Sequence, residues 1–247
     1  MNTKTYIALA LVATLFSACG SSDSKNNDGK GEIDLRDYYP SKSMTKTFSS
    51  TERVGDKVST RREDEIINVT NNVITTTVDT NVTERVVFSD TNITLTDLED
   101  NEVYSIYRHV DIGDKIFSKK INSTENVTIG KITTAIEATC KLKSKESKFE
   151  KNDNVYTGDL LKIDCVTEGT VTYDINADSL DFVADDLNGS HPIYDTSSYY
   201  IAKGLGEVAE IDNNCIPING VPLVDDRKEG EECKDIKNYN YRFYLPN

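Results

Sequence analysis

Four short oxygen-bearing side chains in one segment have the spacing of calcium ligands. Asp174, Asn176 and Asp178 occupy alternate positions, and Asp185 stands twelfth in a count that begins at Asp174. Such residues suit calcium because a tight loop can turn each oxygen inward. The segment departs from the calcium-loop pattern at its sixth position, where Ser179 replaces glycine. Two interpretations stay open, a calcium site and a capped acidic turn without a metal, and the second is preferred.

No other set of residues has a spacing that supports catalysis. The chain has two histidines, His109 and His191. Neither has a Ser, Cys or metal-ligand partner at the spacing of an activated nucleophile or a general base. We therefore expect a protein that is not an enzyme, and calcium is the one candidate cofactor.

The N-terminus has the features of an export signal. Lys4 precedes an apolar run of 11 residues, 6–16, and the small residues Ser17 and Ala18 then lead to Cys19. A charged start, a short apolar core and a small-residue cut site are typical of a secretory signal peptide. A bilayer span needs about 20 apolar residues, so this run is too short to be one.

The segment Leu15-Phe16-Ser17-Ala18-Cys19 resembles the lipobox of bacterial lipoproteins, with Phe16 where leucine is usual. The resemblance implies that residues 1–18 are removed and that Cys19 carries the lipid that anchors the chain to a membrane. Gly20 after the cysteine implies, by the same resemblance, the outer membrane of a Gram-negative bacterium. Residues 20–32 contain no apolar side chain, which predicts a flexible tether over 19–32 and a domain over 33–247.

Four further cysteines belong to the body of the chain, namely Cys140, Cys165, Cys215 and Cys233. An even number of cysteines in an exported protein predicts disulfides, here Cys140–Cys165 and Cys215–Cys233. No Cys-x-x-Cys pair occurs, which argues against redox catalysis and structural zinc.

The charge of the chain excludes one class of partner. It has 42 acidic and 28 basic residues, for a formal net charge of −14. Nucleic acid and anionic lipid headgroups require a basic surface. We therefore expect no nucleic acid partner.

The elements that would position these groups are β-strands. Between residues 43 and 171, short runs rich in Val, Ile, Thr, Tyr and Phe alternate with turn residues such as Asn71-Asn72 and Gly113-Asp114. This rhythm predicts an all-β fold of about ten to twelve strands, an antiparallel meander that forms a curved sheet, a half-barrel or a sandwich. Asp178 is a potential N-cap for a single short helix near 179–187. A weak domain boundary near Thr172 stays open.

One hairpin can be predicted pair by pair, because alternate residues on both of its strands are apolar. Folding the chain about Asn152-Asp153 gives the cross-strand pairs Cys140–Cys165, Lys141–Asp164, Leu142–Ile163 and Phe149–Tyr156, with Lys143–Lys162 as an unfavourable pair. Near the C-terminus, residues 239–245 alternate cleanly and predict a closing strand.

The segment from Tyr199 to Val208 contains Lys203-Gly204-Leu205-Gly206-Glu207, whose paired glycines predict a bulge or a bend between strands. The segment loosely resembles a Tyr-x-x-Gly-x-Gly-x-Val motif of uncharacterised exported antiparallel-sheet proteins, some related to the half-barrel fold of periplasmic lipoprotein carriers. In those carriers a bent sheet shelters a hydrophobic ligand.

These observations favour a non-enzymatic envelope lipoprotein that binds a protein partner or an apolar molecule. The alternatives are a structural or adhesive surface lipoprotein and a calcium-assisted interaction module. A concave apolar cavity would favour the carrier, whereas a filled core would favour the structural role.

Overall fold

The computed structural model describes residues 31–54, 57–98, 102–127, 130–151, 153–175, 188–213 and 239–246. In chain order the strands are β1 (Ile33–Asp34), β2 (Met44–Val54), β3 (Lys57–Thr70), β4 (Val73–Val78), β5 (Asn81–Phe88), β6 (Asn92–Asp97), β7 (Glu102–Tyr107), β8 (His109–Val110), β9 (Lys115–Val127), β10 (Gly130–Lys151), β11 (Asn154–Ile175), β12 (Gly189–Ala202), β13 (Gly206–Asn213) and β14 (Tyr239–Leu245). A 3₁₀ helix lies between β1 and β2, at Leu35–Tyr38. The predicted all-β class is confirmed.

Twelve of the strands form one antiparallel sheet in the order β7-β6-β5-β4-β3-β2-β14-β13-β12-β11-β10-β9, and β1 pairs with β8 separately. Neighbouring strands of this sheet follow one another in the chain, with one exception, the pair of β14 with β2. The C-terminal strand β14 lies between β2 and β13. It thus joins the N-terminal half of the sheet to the C-terminal half. The predicted strand at 239–245 is confirmed, and β11 runs without interruption through Thr172.

The sheet curves until its two end strands, β7 and β9, approach each other, so that it is nearly closed into a barrel-like shape. At this seam Lys119 Nζ lies 3.8 Å from Glu102 Oε2. The rings of Tyr104 and Phe117 meet edge to face there, with centroids 5.9 Å apart. Among the described residues, no helix has the length and apolar content needed to cross a membrane.

The curved sheet carries a hydrophobic core on each face. The inner core, on the concave face, draws on strands from both halves of the sheet and includes Ile67, Leu95, Tyr104, Phe117, Leu161 and Tyr199. The outer core, on the convex face, consists of Phe149, Leu160, Ala202, Val208, Ala209, Tyr241 and Phe243. Side chains alternate between faces along a strand, which is why both cores use β12 and β11.

The β10–β11 hairpin has the predicted register at Cys140–Cys165, Lys141–Asp164, Leu142–Ile163 and Phe149–Tyr156. The predicted pair of Lys143 with Lys162 is wrong. A register shift between Leu142 and Ser144 places Ser144 opposite Lys162 and leaves Lys143 unpaired in the ladder. This bulge separates two like charges that direct pairing would bring together. A second shift between Glu146 and Lys148 restores the register, and the hairpin tip then packs Phe149 on the convex face.

Gly169 is required where β11 runs against β10. Its φ is +149°, and a Cβ built there would lie 2.2 Å from the carbonyl oxygen of Ala135 and 2.6 Å from the Cα of Ile136. No side chain fits at such distances, so the two backbones can approach this closely only at a glycine.

Candidate functional site

The concave face encloses a cavity of about 430 Å³. This volume lies in the range of small-molecule binding sites. A cavity is a physical consequence of the strand number, because about eight strands already enclose as much space as their own side chains fill. Twelve strands in one nearly closed sheet curve more widely, so their inward side chains do not fill the whole interior.

Most of the cavity wall is apolar. Successive inward positions of several strands supply aliphatic and aromatic side chains, among them Ile67, Ile74, Val86, Leu95, Phe117 and Ile163. Ile67 is only 5% exposed, whereas its neighbour Ile66, which points to the other face, is 44% exposed. Cys140, half of the Cys140–Cys165 disulfide, also lines the cavity.

The N-terminal segment covers the cavity, with Tyr38, Tyr39 and Pro40 in its wall. It begins at Asp34, whose carboxylate caps the 3₁₀ helix by accepting a 2.9 Å hydrogen bond from the backbone N–H of Arg36. Arg108 donates two more bonds to that carboxylate, of 2.8 and 2.6 Å. Such a two-point pair fixes orientation, so the covering segment is held in a defined position.

Another part of the wall carries charged side chains around Arg242. The guanidinium of Arg242 lies 3.3 Å from carboxylate oxygens of Glu207 and of Glu63, and it also bonds to Glu65. Its Cζ stands 3.7 Å above the ring centroid of Phe48. Burial alone would lower the pKa of Arg242, but the carboxylates of Glu207 and Glu65 outweigh it and raise that pKa.

Lys46 is the second cation of the wall, and it is 2% exposed. Its ammonium donates to the backbone carbonyl of Glu207 and lies 4.6 and 5.4 Å from the ring centroids of Phe48 and Tyr244. Burial lowers the pKa of Lys46 to about 8, although the carboxylates of Glu207 and Glu65 oppose that change. Both cations are therefore already engaged by protein groups.

Glu84 stands apart from these cations. It lines the cavity and is partly buried. Burial, reinforced by the negative charges of Glu65, Glu207 and Asp97, raises the pKa of Glu84 to about 7, and a hydrogen bond with the hydroxyl of Thr76 opposes the rise only in part. In the described part of the chain, no basic side chain forms an ion pair with Glu84.

A second group of acidic side chains lies on β13, beside the cavity. Glu210 and Asp212 are buried, and burial is the main cause that raises both of their pKa values, that of Asp212 to about 7. Glu210 shares a hydrogen bond with the hydroxyl of Tyr199, which lines the cavity. The concave face is therefore acidic beyond the cavity itself.

The structure covers only some of the residues predicted from sequence. Asp174 lies on β11 opposite Lys131, and Asn176, Asp178, Asp185 and the predicted helix 179–187 are outside the described residues. Within the described ranges, no three His, Cys, Asp or Glu side chains are arranged to hold a metal ion. The Cys140–Cys165 disulfide is confirmed. Cys19, Cys215 and Cys233 also lie outside the described residues.

Lys46, Glu84 and Arg242 were not predicted as functional residues. A signal was present for two of them. Lys46 shares its strand face with Met44 and Phe48, and Glu84 shares one with Val86 and Phe88, so each places a charge on an apolar stripe. Arg242 alternates with Tyr241 and Phe243 and has the pattern of an ordinary exposed side chain.

Comparison of the chain with protein-family models, with curated proteins and with solved structures finds no match.

Proposed function

We propose that this protein is a non-enzymatic envelope lipoprotein that binds an apolar small molecule in the cavity of its curved sheet. One observation carries the proposal, the cavity of about 430 Å³ with mostly apolar walls. The wall leaves apolar surface without packing contacts from the protein itself. A ligand that fills the cavity supplies those contacts.

The attachment to the membrane is a further part of the proposal. The lipobox-like segment that ends at Cys19 and the apolar-free stretch 20–32 support a lipid anchor with a flexible tether. Acyl labelling of the expressed chain should disappear in the Cys19→Ser variant and persist in Ser17→Thr, which keeps the cysteine. Acyl label that remains on the Cys19→Ser variant contradicts the proposed lipid anchor at Cys19.

A matched pair of variants tests the binding site. Ile67 faces the cavity and Ile66, its neighbour in β3, faces away. We expect Ile67→Trp to block the cavity, whereas Ile66→Trp adds the same side chain outside it. The ligand probe is N-phenyl-1-naphthylamine, an uncharged apolar dye, titrated into the full chain in lipid nanodiscs, with protein-free nanodiscs as the blank.

The expected result is dye binding to the wild type and to Ile66→Trp, and its loss in Ile67→Trp. Ile163→Phe enlarges another wall residue by less and should weaken binding. It replaces Ile67→Trp in the test if that variant does not fold. Equal binding by all the folded variants contradicts the proposal. A wild type that does not bind the dye contradicts it too and favours the structural or adhesive role.

A further inference from the structure

Among the residues that the structure describes, the cavity wall has more negative than positive groups. Its carboxyl groups are those of Glu65, Glu84, Asp97 and Glu207, and its cations are Lys46 and Arg242. The three contacts of Arg242 with Glu63, Glu65 and Glu207 leave its guanidinium directed at the protein. The charge surplus is therefore concentrated at the part of the wall that holds Glu84.

An anionic head group finds no suitable partner in this cavity. The donors of Arg242 are engaged by carboxylates, and Lys46 bonds to the carbonyl of Glu207 over two aromatic rings. A fatty carboxylate would thus have to displace these contacts and approach Glu84 at the same time. Like charges in a partly buried site repel more strongly than they do in bulk water.

A cationic head group meets the opposite conditions at Glu84. The carboxyl group of Glu84 lines the cavity, and its side chain is partly buried. Among the described residues, its hydrogen-bond partner is the hydroxyl of Thr76. This leaves acceptor positions for a ligand, because a carboxylate accepts about four hydrogen bonds.

Two aromatic side chains strengthen this match. Tyr39 and Tyr104 line the same cavity, and both are near enough to Glu84 for its charge to raise their pKa values in addition to burial. An ammonium group is attracted both to a carboxylate and to the faces of aromatic rings. A carboxyl group with tyrosine rings beside it is thus a suitable site for an alkylammonium.

We propose that the ligand of this cavity is an amphiphile with a cationic amine head group, which pairs with Glu84 while its hydrocarbon chain fills the apolar wall. This inference rests on the proposed function, because it concerns the same cavity. It adds the class of ligand, an alkylamine, and the residue that selects it.

The test uses three probes of one chain length, dodecylamine, dodecanol and dodecanoate, below their micellar concentrations. The full chain in nanodiscs is dialysed to equilibrium against each probe at about pH 8, where Glu84 is ionised, and protein-free nanodiscs measure the partition into lipid. Glu84→Gln removes the charge in the cavity. Glu168→Gln removes one charge from an exposed side chain and is the matched control.

The wild type should bind the amine about tenfold or more tightly than the alcohol, and the carboxylate most weakly. Glu84→Gln should lose that preference for the amine and keep its affinity for the alcohol, while Glu168→Gln behaves as wild type. Equal binding of amine and alcohol by the wild type, or a preference for the carboxylate, overturns this inference and leaves the proposed function intact. Failure of all three probes to bind contradicts both.

Discussion

Leu160 and Leu161 are consecutive residues of β11, yet their side chains are buried in different cores. Both are 0% exposed. Leu161 belongs to the inner core and Leu160 to the outer core. Both leucines are buried because the hairpin tip of β10 and β11 packs on the convex face. At Leu160 and Leu161, β11 is therefore covered on both of its faces.

Truncation of either leucine should therefore destabilise the protein to a similar extent. We expect Leu160→Ala and Leu161→Ala each to lower the free energy of unfolding by about 2 to 5 kcal/mol, the range for fully buried leucines. Urea denaturation measures the change. Val155→Ala, at a position 44% exposed in the same hairpin, should cost less than about 0.5 kcal/mol. An unchanged free energy of unfolding in Leu160→Ala would mean that the hairpin tip does not pack on the convex face.

Gly169 provides a prediction about the backbone contact between β10 and β11. A methyl group at this position would lie 2.2 Å from the carbonyl oxygen of Ala135, and the backbone would also be held at a φ that L-residues disfavour. We expect Gly169→Ala to lower the free energy of unfolding by about 1 to 3 kcal/mol. The same measurement on Gly113→Ala, where a Cβ meets no atom within 4 Å, separates the clash from the strain of a positive φ. Equal losses at the two glycines would contradict the close approach.

The disulfide between Cys140 and Cys165 should stabilise the fold by restricting the unfolded chain. The two residues are 25 positions apart, for which the chain-entropy model gives about 3.5 kcal/mol. The double variant Cys140→Ala, Cys165→Ala should lose a comparable amount in urea denaturation. Addition of a reductant should destabilise the wild type and cause a smaller change in the double variant. A double variant as stable as the wild type would show that the bond does not restrict the unfolded chain.

The stability of the protein should depend on pH through Glu84. Burial and the nearby carboxylates raise the pKa of Glu84 from 4.5 to about 7, so the folded protein binds this proton more tightly than the unfolded chain. Below about pH 4.5 Glu84 therefore does not lower the free energy of unfolding. It lowers that free energy increasingly as the pH rises to about 7, and by a constant amount above that.

Glu84→Gln should consequently raise the free energy of unfolding at about pH 8 by up to about 3 kcal/mol and change it little at about pH 4.5. Urea denaturation across this range measures the profile, and Glu168→Gln, on an exposed side chain, should leave it unchanged. If Glu84→Gln changes the free energy of unfolding by the same amount at every pH, the effect is not electrostatic.

The features that local sequence determines were predictable. In the β10–β11 hairpin, alternation, the turn at Asn152-Asp153 and the position of the two cysteines all indicate the same register, and four predicted pairs are confirmed. The bulge after Leu142 was not predicted, because the alternation of apolar and polar residues does not show where a strand contains an extra residue. The unfavourable Lys143–Lys162 pair was the only indication of a shift.

The features that depend on distant contacts were not predictable. Alternation indicates that 239–245 is a strand, but it contains no information that places this strand between β2 and β13. The cavity depends on the curvature of the whole sheet, which places Lys46, Glu84 and Arg242 from three strands in the wall of one cavity. Lys46 and Glu84 are unusual because each is a charged residue among apolar residues on one face of a strand. The sequence does not show that both of them line a cavity.

The central claim is that the cavity of the curved sheet holds an apolar ligand, and native mass spectrometry of the full chain tests it most directly. The chain would be extracted gently from cells, and the wild type would be compared with Ile67→Trp and Ile66→Trp. We predict a small-molecule mass on the wild type and on Ile66→Trp, with only the bare chain for Ile67→Trp. A bare chain for the wild type, under conditions that preserve the adduct of an added alkylamine on a known carrier, would contradict the claim.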